Sequence, residues 1–302
     1  AEQGNEDAQV NLGLMYENGT GVTKNDATAV EWYRRAAEQG NASAQFNLGE
    51  MYADGTGVTK NDATAVEWYR RAGEQGNARA QFNLGLIYEN GTGVTKNDAT
   101  AVEWYRCAAE QEDVEAQYYL GVMCEDGRGT KQDVTQAVKW YSLAAEGGHE
   151  TAQYNLGIIY QSGEDVMEDV EQAVKWFSMA AEQGFVEAQN NLGGLYQFNL
   201  GVQNFTEAVK WYRMAAEQGH AKAQNNLGAM YKQGLGVTQD NVQAVEWYKA
   251  AAEQGEIEGQ YNLGLMYANG EGVTLDSTQA AELYGIAAQQ GHVFSQHNLG
   301  LM

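Results

Sequence analysis

Side chains able to do chemistry are sparse in this sequence and fall at wide, regular intervals. Of four histidines, His149, His220 and His292 share one position of a repeating unit and stand 71 and 72 residues apart. A metal needs ligands converging within a few ångströms, and a nucleophile needs its base within hydrogen-bond reach. One histidine in every second unit meets neither requirement, so the three are expected to be solvated residues at helix starts. The two cysteines, Cys107 and Cys124, lack C-x-x-C spacing and indicate neither a zinc site nor a disulfide framework. Cys107 takes the position of Arg35 and Arg71, and Cys124 that of a core tyrosine. They straddle a unit junction, and both free thiols and a pair remain open, a disulfide requiring Cα atoms within about 7 Å.

The segment Gly19-Thr20-Gly21-Val22-Thr23-Lys24, nearly unchanged at Gly55 and Gly91, has the glycine density of a phosphate loop. It lacks both the Gly-Lys-Ser/Thr ending and a preceding strand, so it is expected to be a structural turn. The acids Glu17, Asp54, Glu125, Asp126 and Glu164 do not follow the alternating pattern of a calcium loop and are expected to be solvated turn acids. No catalytic group, metal or cofactor is assigned, and the chain is not expected to be an enzyme. A formal charge of −23 over 302 residues disfavours nucleic acid and anionic membrane surfaces as partners. No apolar run approaches the roughly 18 to 20 residues of a bilayer span, so no membrane insertion is expected.

The elements that position these residues come from a tandem repeat. Trp32, Trp68, Trp104, Trp140, Trp176, Trp211 and Trp247 are separated by 36 residues, once by 35. Residues 1–4 end a preceding unit, 5–40, 41–76, 77–112, 113–148, 149–184, 185–219, 220–255 and 256–291 form eight units, and 292–302 begin a ninth. The chain is expected to be one array and a fragment of a longer protein. In each unit Ala8, Leu12 and Met15 lie on one stripe of a helix, here called A. After a glycine turn, Ala29, Trp32, Tyr33 and Ala36 have the same spacing in a helix B that ends at Gly40. Asn25, Asn61, Asn97, Asp133, Asp169, Asn204, Asp240 and Asp276 predict the N-cap of helix B, and the one-residue deletion of the sixth unit falls after Val202. Leu12-Gly13 recurs in every helix A, although glycine there costs about 0.8 to 1 kcal/mol relative to alanine. Close approach of the bulky Trp and Tyr of helix B is the expected compensation.

The pattern Ala8, Leu12-Gly13, Tyr16, Gly19-x-Gly21-Val22, Ala29, Trp32-Tyr33, Ala36-Ala37 and Gly40 resembles the Sel-one-like repeat, a relative of the tetratricopeptide repeat. The resemblance covers nearly the whole chain. It implies an all-α fold, a right-handed α/α superhelical solenoid of 36-residue helix-turn-helix repeats with the A helices lining the concave side. It also implies a scaffold, adaptor, regulator or host-contacting protein of bacterial origin, periplasmic or secreted, with a cytoplasmic location left open. Two departures stand out: the turn lacks the proline that many members carry, and the chain lacks the paired cysteines of the disulfide-bridged Helicobacter branch.

Columns that vary between units are informative about partners. One holds Val10, Phe46, Phe82, Tyr118, Tyr154, Asn190, Asn225, Tyr261 and His297, and the other Leu14, Glu50, Leu86, Val122, Ile158, Gly194, Ala229, Leu265 and Leu301. Two expectations stand side by side: these residues complete the stacking of A helices, or they form an apolar strip facing a partner. Under the second, Phe46, Phe82, Leu86, Tyr118, Val122, Tyr154, Ile158, Tyr261 and Leu265 bind a protein or peptide with a basic flank, the gap at units six and seven being a pocket or the partner's end. A glycan stacking on the aromatic rings is the alternative. Glutamine recurs from Gln9 to Gln296, and asparagine at Asn11, Asn47, Asn83, Asn155, Asn191 and beyond. A structural role at every junction is favoured for both columns over an amide ladder gripping a peptide. Oligomeric state is not legible.

Overall fold

The computed structural model describes residues 4–163, 167–199 and 201–302. Glu164, one of the acids weighed above, lies outside them, as do residues 1–3. Among the described residues every regular element is an α-helix. The A helices are α1 (Glu6–Asn18), α3 (Ala42–Asp54), α5 (Ala78–Asn90), α7 (Val114–Asp126), α9 (Glu150–Ser162), α11 (Val186–Phe198), α13 (Ala221–Gln233), α15 (Ile257–Asn269) and α17 (Val293–Leu301). The B helices are α2 (Asp26–Glu38), α4 (Asp62–Glu74), α6 (Asp98–Ala109), α8 (Val134–Glu146), α10 (Val170–Glu182), α12 (Phe205–Glu217), α14 (Asn241–Glu253) and α16 (Ser277–Gln289). They are paired helix-turn-helix repeats of about 36 residues forming a solenoid, as the repeat spacing requires. The chain divides into two compact units, Ala1–Ala152 and Gln153–Met302.

Local chemistry sets the helix ends. Asn25 Oδ1 accepts from Thr28 N at 3.0 Å at the start of helix B, and its counterparts do the same in later repeats. Helix A has a cap column as well: Asn5, Asn41, Asn77 and Asp113 accept from the third following amide. Three histidines continue this column. The Nδ1 atoms of His149, His220 and His292 accept from Ala152, Ala223 and Ser295 at 3.1 to 3.2 Å. The expectation of helix-start residues therefore holds, but not that of solvation, for the side chains of His149 and His292 are only 11 and 10% exposed. Phe185 is the exception, standing at the cap of α11 without a side-chain bond.

Packing within a pair rests on the A-helix glycine. A Cβ placed on Gly121 would lie 2.6 Å from Cδ1 of Tyr141, so the tyrosine ring lies directly on bare backbone. In the fifth repeat Phe177 takes the same place over Gly157. The partner of the glycine is thus this tyrosine column and not the tryptophan beside it. The tryptophan reaches back to the preceding repeat, where Trp104 Cζ3 would lie 3.2 Å from a Cβ on Gly73.

The turns also join neighbouring repeats. Gly57 has φ +69°, and a Cβ there would meet the backbone carbon and oxygen of Asp26 at 2.5 Å, so the second turn glycine seats on the start of the preceding B helix. In the sixth repeat the loop is rebuilt. Asn199 ends α11 in extended backbone where other repeats have left-handed glycine, yet Asn204 still caps α12 through Thr206 and Glu207. The deletion spares the cap, as expected, but its consequences reach back to Asn199.

Two mid-helix glycines offer a direct contrast. Gly121→Ala should lower stability by about 1 to 3 kcal/mol through overpacking against Tyr141. Gly285→Ala in α16, where an added Cβ meets nothing within 4 Å, should raise it by about 1 kcal/mol through helix propensity alone. Urea unfolding of both variants checks the pair, and equal shifts would refute the backbone contact. Glu125 is no neutral control, because it accepts the Tyr141 hydroxyl at 2.6 Å.

Candidate functional site

The face made by the A helices carries the residues that the sequence marked for a partner. Its polar frame comes from the same tyrosines that cover the glycines. Tyr33 donates to Glu17 Oε2 at 2.5 Å, Tyr105 to Glu89 at 2.6 Å, Tyr141 to Glu125 at 2.6 Å and Tyr212 to Gln197 Oε1 at 2.8 Å. Burial, reinforced by the bonded carboxylate, pushes the Tyr33 and Tyr105 hydroxyls far above their ordinary range, so they remain donors. Glu17 and Glu125 are therefore held acids, which corrects the expectation of freely solvated turn residues. Asp54 and Asp126 are exposed turn acids as expected, Asp126 also accepting from Arg128 Nε at 3.1 Å.

In the first unit Glu17, Asn47, Glu50 and Asp54 surround a recess of about 180 Å³. Burial raises the Glu50 carboxyl above the usual carboxylate range, with Arg79 opposing the shift and Glu17 and Asp54 adding to it. Among the described residues no three or more His, Cys, Asp or Glu side chains gather as metal ligands. Cys107 and Cys124 are separate free thiols, one exposed and one buried, and burial raises both.

The first strip column is closely packed. Phe46 is only 3% exposed, covered by Tyr69 at 5.8 Å and the Arg79 guanidinium at 4.5 Å, so its ring is unavailable to a partner. Phe82 lies against Tyr105 and Tyr119, and Tyr118 stacks on His149 at 4.2 Å. In the second unit Tyr154 packs on Phe177 and Phe185, and Tyr261 on Tyr284 and His292. Each of these four rings is half-buried against its own B helix and the next repeat, Phe82 on Tyr119 of the next A helix and the other three on the next cap residue. The second column is more open: Leu86, Val122 and Leu265 are half-buried and Ile158 is 38% exposed. Gly194, in the gap of the strip, lines a cavity of about 340 Å³ with Val170, Leu195 and Phe198.

The amide columns tie repeats together. Gln45 Nε2 donates to Ala37 O at 3.1 Å on the preceding B helix, while Gln75 Nε2 donates to Gln45 Oε1 at 2.7 Å. Gln81 and Gln111 repeat the arrangement. The second glutamine column, Gln39 to Gln290 and broken by Gly147, escaped the sequence reading because it lies at the exposed end of helix B; its spacing of 30 residues from the first, 29 in the shortened repeat, was the available signal. Asn47 stands beside the Tyr33 hydroxyl of the preceding repeat, and Asn83 beside that of Tyr69. Asn191 Nδ2 reaches Tyr154 Oη at 3.5 Å, and Asn226 Nδ2 reaches Asn190 Oδ1 at 3.2 Å. Asn155 is half-buried. These bonds belong to repeat stacking, the role favoured from the sequence.

Ion pairs across a junction were not legible. Arg128 of the fourth repeat reaches Glu89 of the third at 2.7 Å, and Glu271 of the eighth reaches Lys232 of the seventh at 3.2 Å. The two pairs occupy the same repeat positions with their charges exchanged. A double-mutant cycle should show the coupling. Arg128→Glu destabilises, and adding Glu89→Lys restores part of the loss, with a coupling of about 1 kcal/mol after discounting for solvent at Arg128. Additive losses in chemical unfolding would refute the link.

His220 gives a pH prediction. Burial, with Lys222 contributing in the same sense and Glu187 opposing, holds its imidazole below the ordinary value of 6.5. A depressed pKa in the folded state means that its contribution is complete above pH 6.5 and is lost as pH falls through the lower, folded value. His220→Asn keeps a cap and removes the titration. Wild type should therefore lose more stability than the variant on acidification below that pH, read as the difference between their urea midpoints; parallel curves would count against it.

With this geometry in view, comparisons with known proteins are informative. The family model described as Sel1 repeat matches residues 6–41, 42–77, 78–113, 114–149, 151–185, 186–220, 221–256 and 257–292. A solved structure of a protective antigen present in uropathogenic Escherichia coli strains, displaying an SLR fold, is 41% identical with a TM-score of 0.88. That alignment covers 99% of this chain and 64% of the antigen, so the chain spans less than two thirds of that relative's length. A Sel1 repeat protein from Oxalobacter formigenes is 32% identical over 99% of this chain and 87% of its own, with a TM-score of 0.72. No curated protein matches. Among the described residues no helix is long and apolar enough to cross a membrane.

Proposed function

The chain belongs to the Sel1 repeat family, and we propose that it is a non-catalytic scaffold whose A-helix face binds an extended protein or peptide segment carrying basic residues. The observation that supports this reading is the half-open second column. Leu86 and Val122 in the first unit, and Ile158 and Leu265 in the second, stand beside the packed rings of Phe82, Tyr118, Tyr154 and Tyr261. Glu17 and Glu125, anchored by tyrosine hydroxyls, add negative charge to the face of the first unit, whereas Glu89 is taken up by Arg128. Apolar anchors beside fixed charge suit a partner that alternates apolar and basic side chains. Asn47, Asn83, Asn155 and Asn191 flank this surface, and the ties of Asn47, Asn83 and Asn191 to tyrosines of the preceding repeat make these three supports more than grips. Likeness to an antigen of uropathogenic strains supports a bacterial setting in which the partner is a host or envelope protein. The glycan alternative is less well supported, because stacking on sugar needs open ring faces, whereas His149 covers Tyr118 and Arg79 covers Phe46.

The test uses fluorescence anisotropy with short extended peptides in which Leu or Tyr alternates with Lys or Arg, against matched peptides carrying Glu. Basic peptides should bind and weaken as salt rises from about 0.05 to 0.5 M, through screening of surface charge. The variant Leu86→Lys with Val122→Lys should abolish binding and keep its helical unfolding transition. Equal binding of the acidic peptides, or unchanged affinity in the folded lysine variant, would overturn the assignment. Phe82→Ala is a poor probe, since this ring supports Tyr105 and Tyr119 and its loss should cost stability.

A further inference from the structure

Seven of the eight complete repeats carry tryptophan at one position of helix B, and the eighth carries Leu283. The environment of that position is visible where the second and third repeats meet. A Cβ on Gly73 would lie 3.2 Å from Trp104 Cζ3, 3.1 Å from Leu84 Cδ1 and 3.4 Å from Gln81 Cγ. The indole therefore lies across a small residue of the preceding B helix, beside a leucine and a glutamine of its own A helix. At the junction of the seventh and eighth repeats the corresponding three residues are Ala252, Leu263 and Gln260. Together with Leu283, Tyr267 and Ile286 they line an open cavity of about 200 Å³. Leu283 packs in the same cluster as Ala252, and its side chain is smaller than the indole that other repeats carry at this position.

We propose that this cavity is a binding site for an indole ring. The slot is built to the shape of that group, since the same three positions receive one at earlier junctions, and here the chain supplies no ring of its own. The lining combines apolar Leu263, Leu283 and Ile286 with the polar Gln260 and Gln279, and apolar surface with a few polar groups beside it suits an aromatic guest. The small Ala252 lines it, and so do Lys249 and Glu253, an exposed ion pair beside the part of a ligand that stays in water. The site belongs to helices α14, α15 and α16 and is separate from the A-helix strip, so it does not depend on the function proposed above. The ring arrives either as a small free indole or as the side chain of tryptophan in a peptide, and the two sources share one recognition chemistry.

Methyl-resolved NMR of the full chain, labelled at Leu and Ile, tests this with indole and N-acetyltryptophanamide as probes and cyclohexanol as the non-aromatic control. Saturable shifts at Leu263, Leu283 and Ile286 are expected with indole and not with cyclohexanol. Shifts with indole alone support a site for a free small molecule, and shifts with both support one that also accepts a peptide tryptophan. Leu283→Trp fills the slot with the chain's own ring, so it should raise the melting temperature and remove the shifts. Ile286→Glu changes an exposed position at the rim, keeps the fold, and should weaken indole about tenfold or more by bringing charge beside the ring. Absence of saturable shifts at these methyls with both probes would overturn the proposal. So would affinities unchanged in folded Ile286→Glu, or an equal response to cyclohexanol.

Discussion

The architecture depends on one contact, the ring of a B-helix tyrosine laid on the bare glycine of its A helix. Helices approach this closely only where no Cβ intervenes, and in this chain a Cβ at Gly13, Gly49 or Gly121 would press into the ring of Tyr33, Tyr69 or Tyr141. The ring is fully buried or nearly so in every case. Its position also fixes where the hydroxyl emerges. That oxygen comes out at the A-helix end, where Glu17, Glu89 or Glu125 accepts its hydrogen bond and, from the next repeat, Asn47 or Asn83 stands beside Tyr33 or Tyr69. Core packing, surface charge and repeat stacking thus meet at one side chain.

Between repeats the structure uses several modest contacts of different kinds. A buried glutamine bonds the last turn of the preceding B helix, a turn glycine seats on the start of that helix, and a tryptophan lies across its small residue. Each recurs at junction after junction, which is how a quasi-one-dimensional array gathers stability from nearest neighbours. Recurrence also allows local change. The sixth loop is shortened without loss of its cap, and the ion pair linking third and fourth repeats reappears with opposite polarity at the seventh and eighth. Phe177 replaces a tyrosine and keeps the packing while giving up the hydroxyl bond.

The two surfaces consequently differ in what they offer. On the A-helix side, rings that the sequence left open between stacking and a partner-facing strip are mostly enclosed by their own B helix and by the next repeat, leaving the second column as the open apolar part. On the B-helix side, the tryptophan column is continuous until Leu283, where an established slot loses its ring. A substitution at one repeat creates a feature there because the surrounding positions retain their usual form.

The sequence alone determined the helix pairs, their period and most of their ends, because each follows from local rules repeated eight times: capping side chains, glycine turns and apolar residues at helical spacing. It also indicated that Gly121 must face something bulky, since an unfavourable residue recurred without variation. Tertiary structure decided which bulky residue. Tyr and Trp stand side by side in helix B, and only the crossing of the helices sends Tyr141 onto its own A helix and Trp104 back to Gly73. Likewise His149 was legible as a helix-start residue, but its stacking on Tyr118 depends on where the next repeat places it. Phe46 and Leu86 lie in neighbouring columns of similar chemistry; what separates them is burial beneath Arg79, a residue 33 positions further along the chain. Periodicity specifies which residues share a helix face, whereas exposure depends on what the neighbouring helices place over that face, and that is a property of their packing in three dimensions.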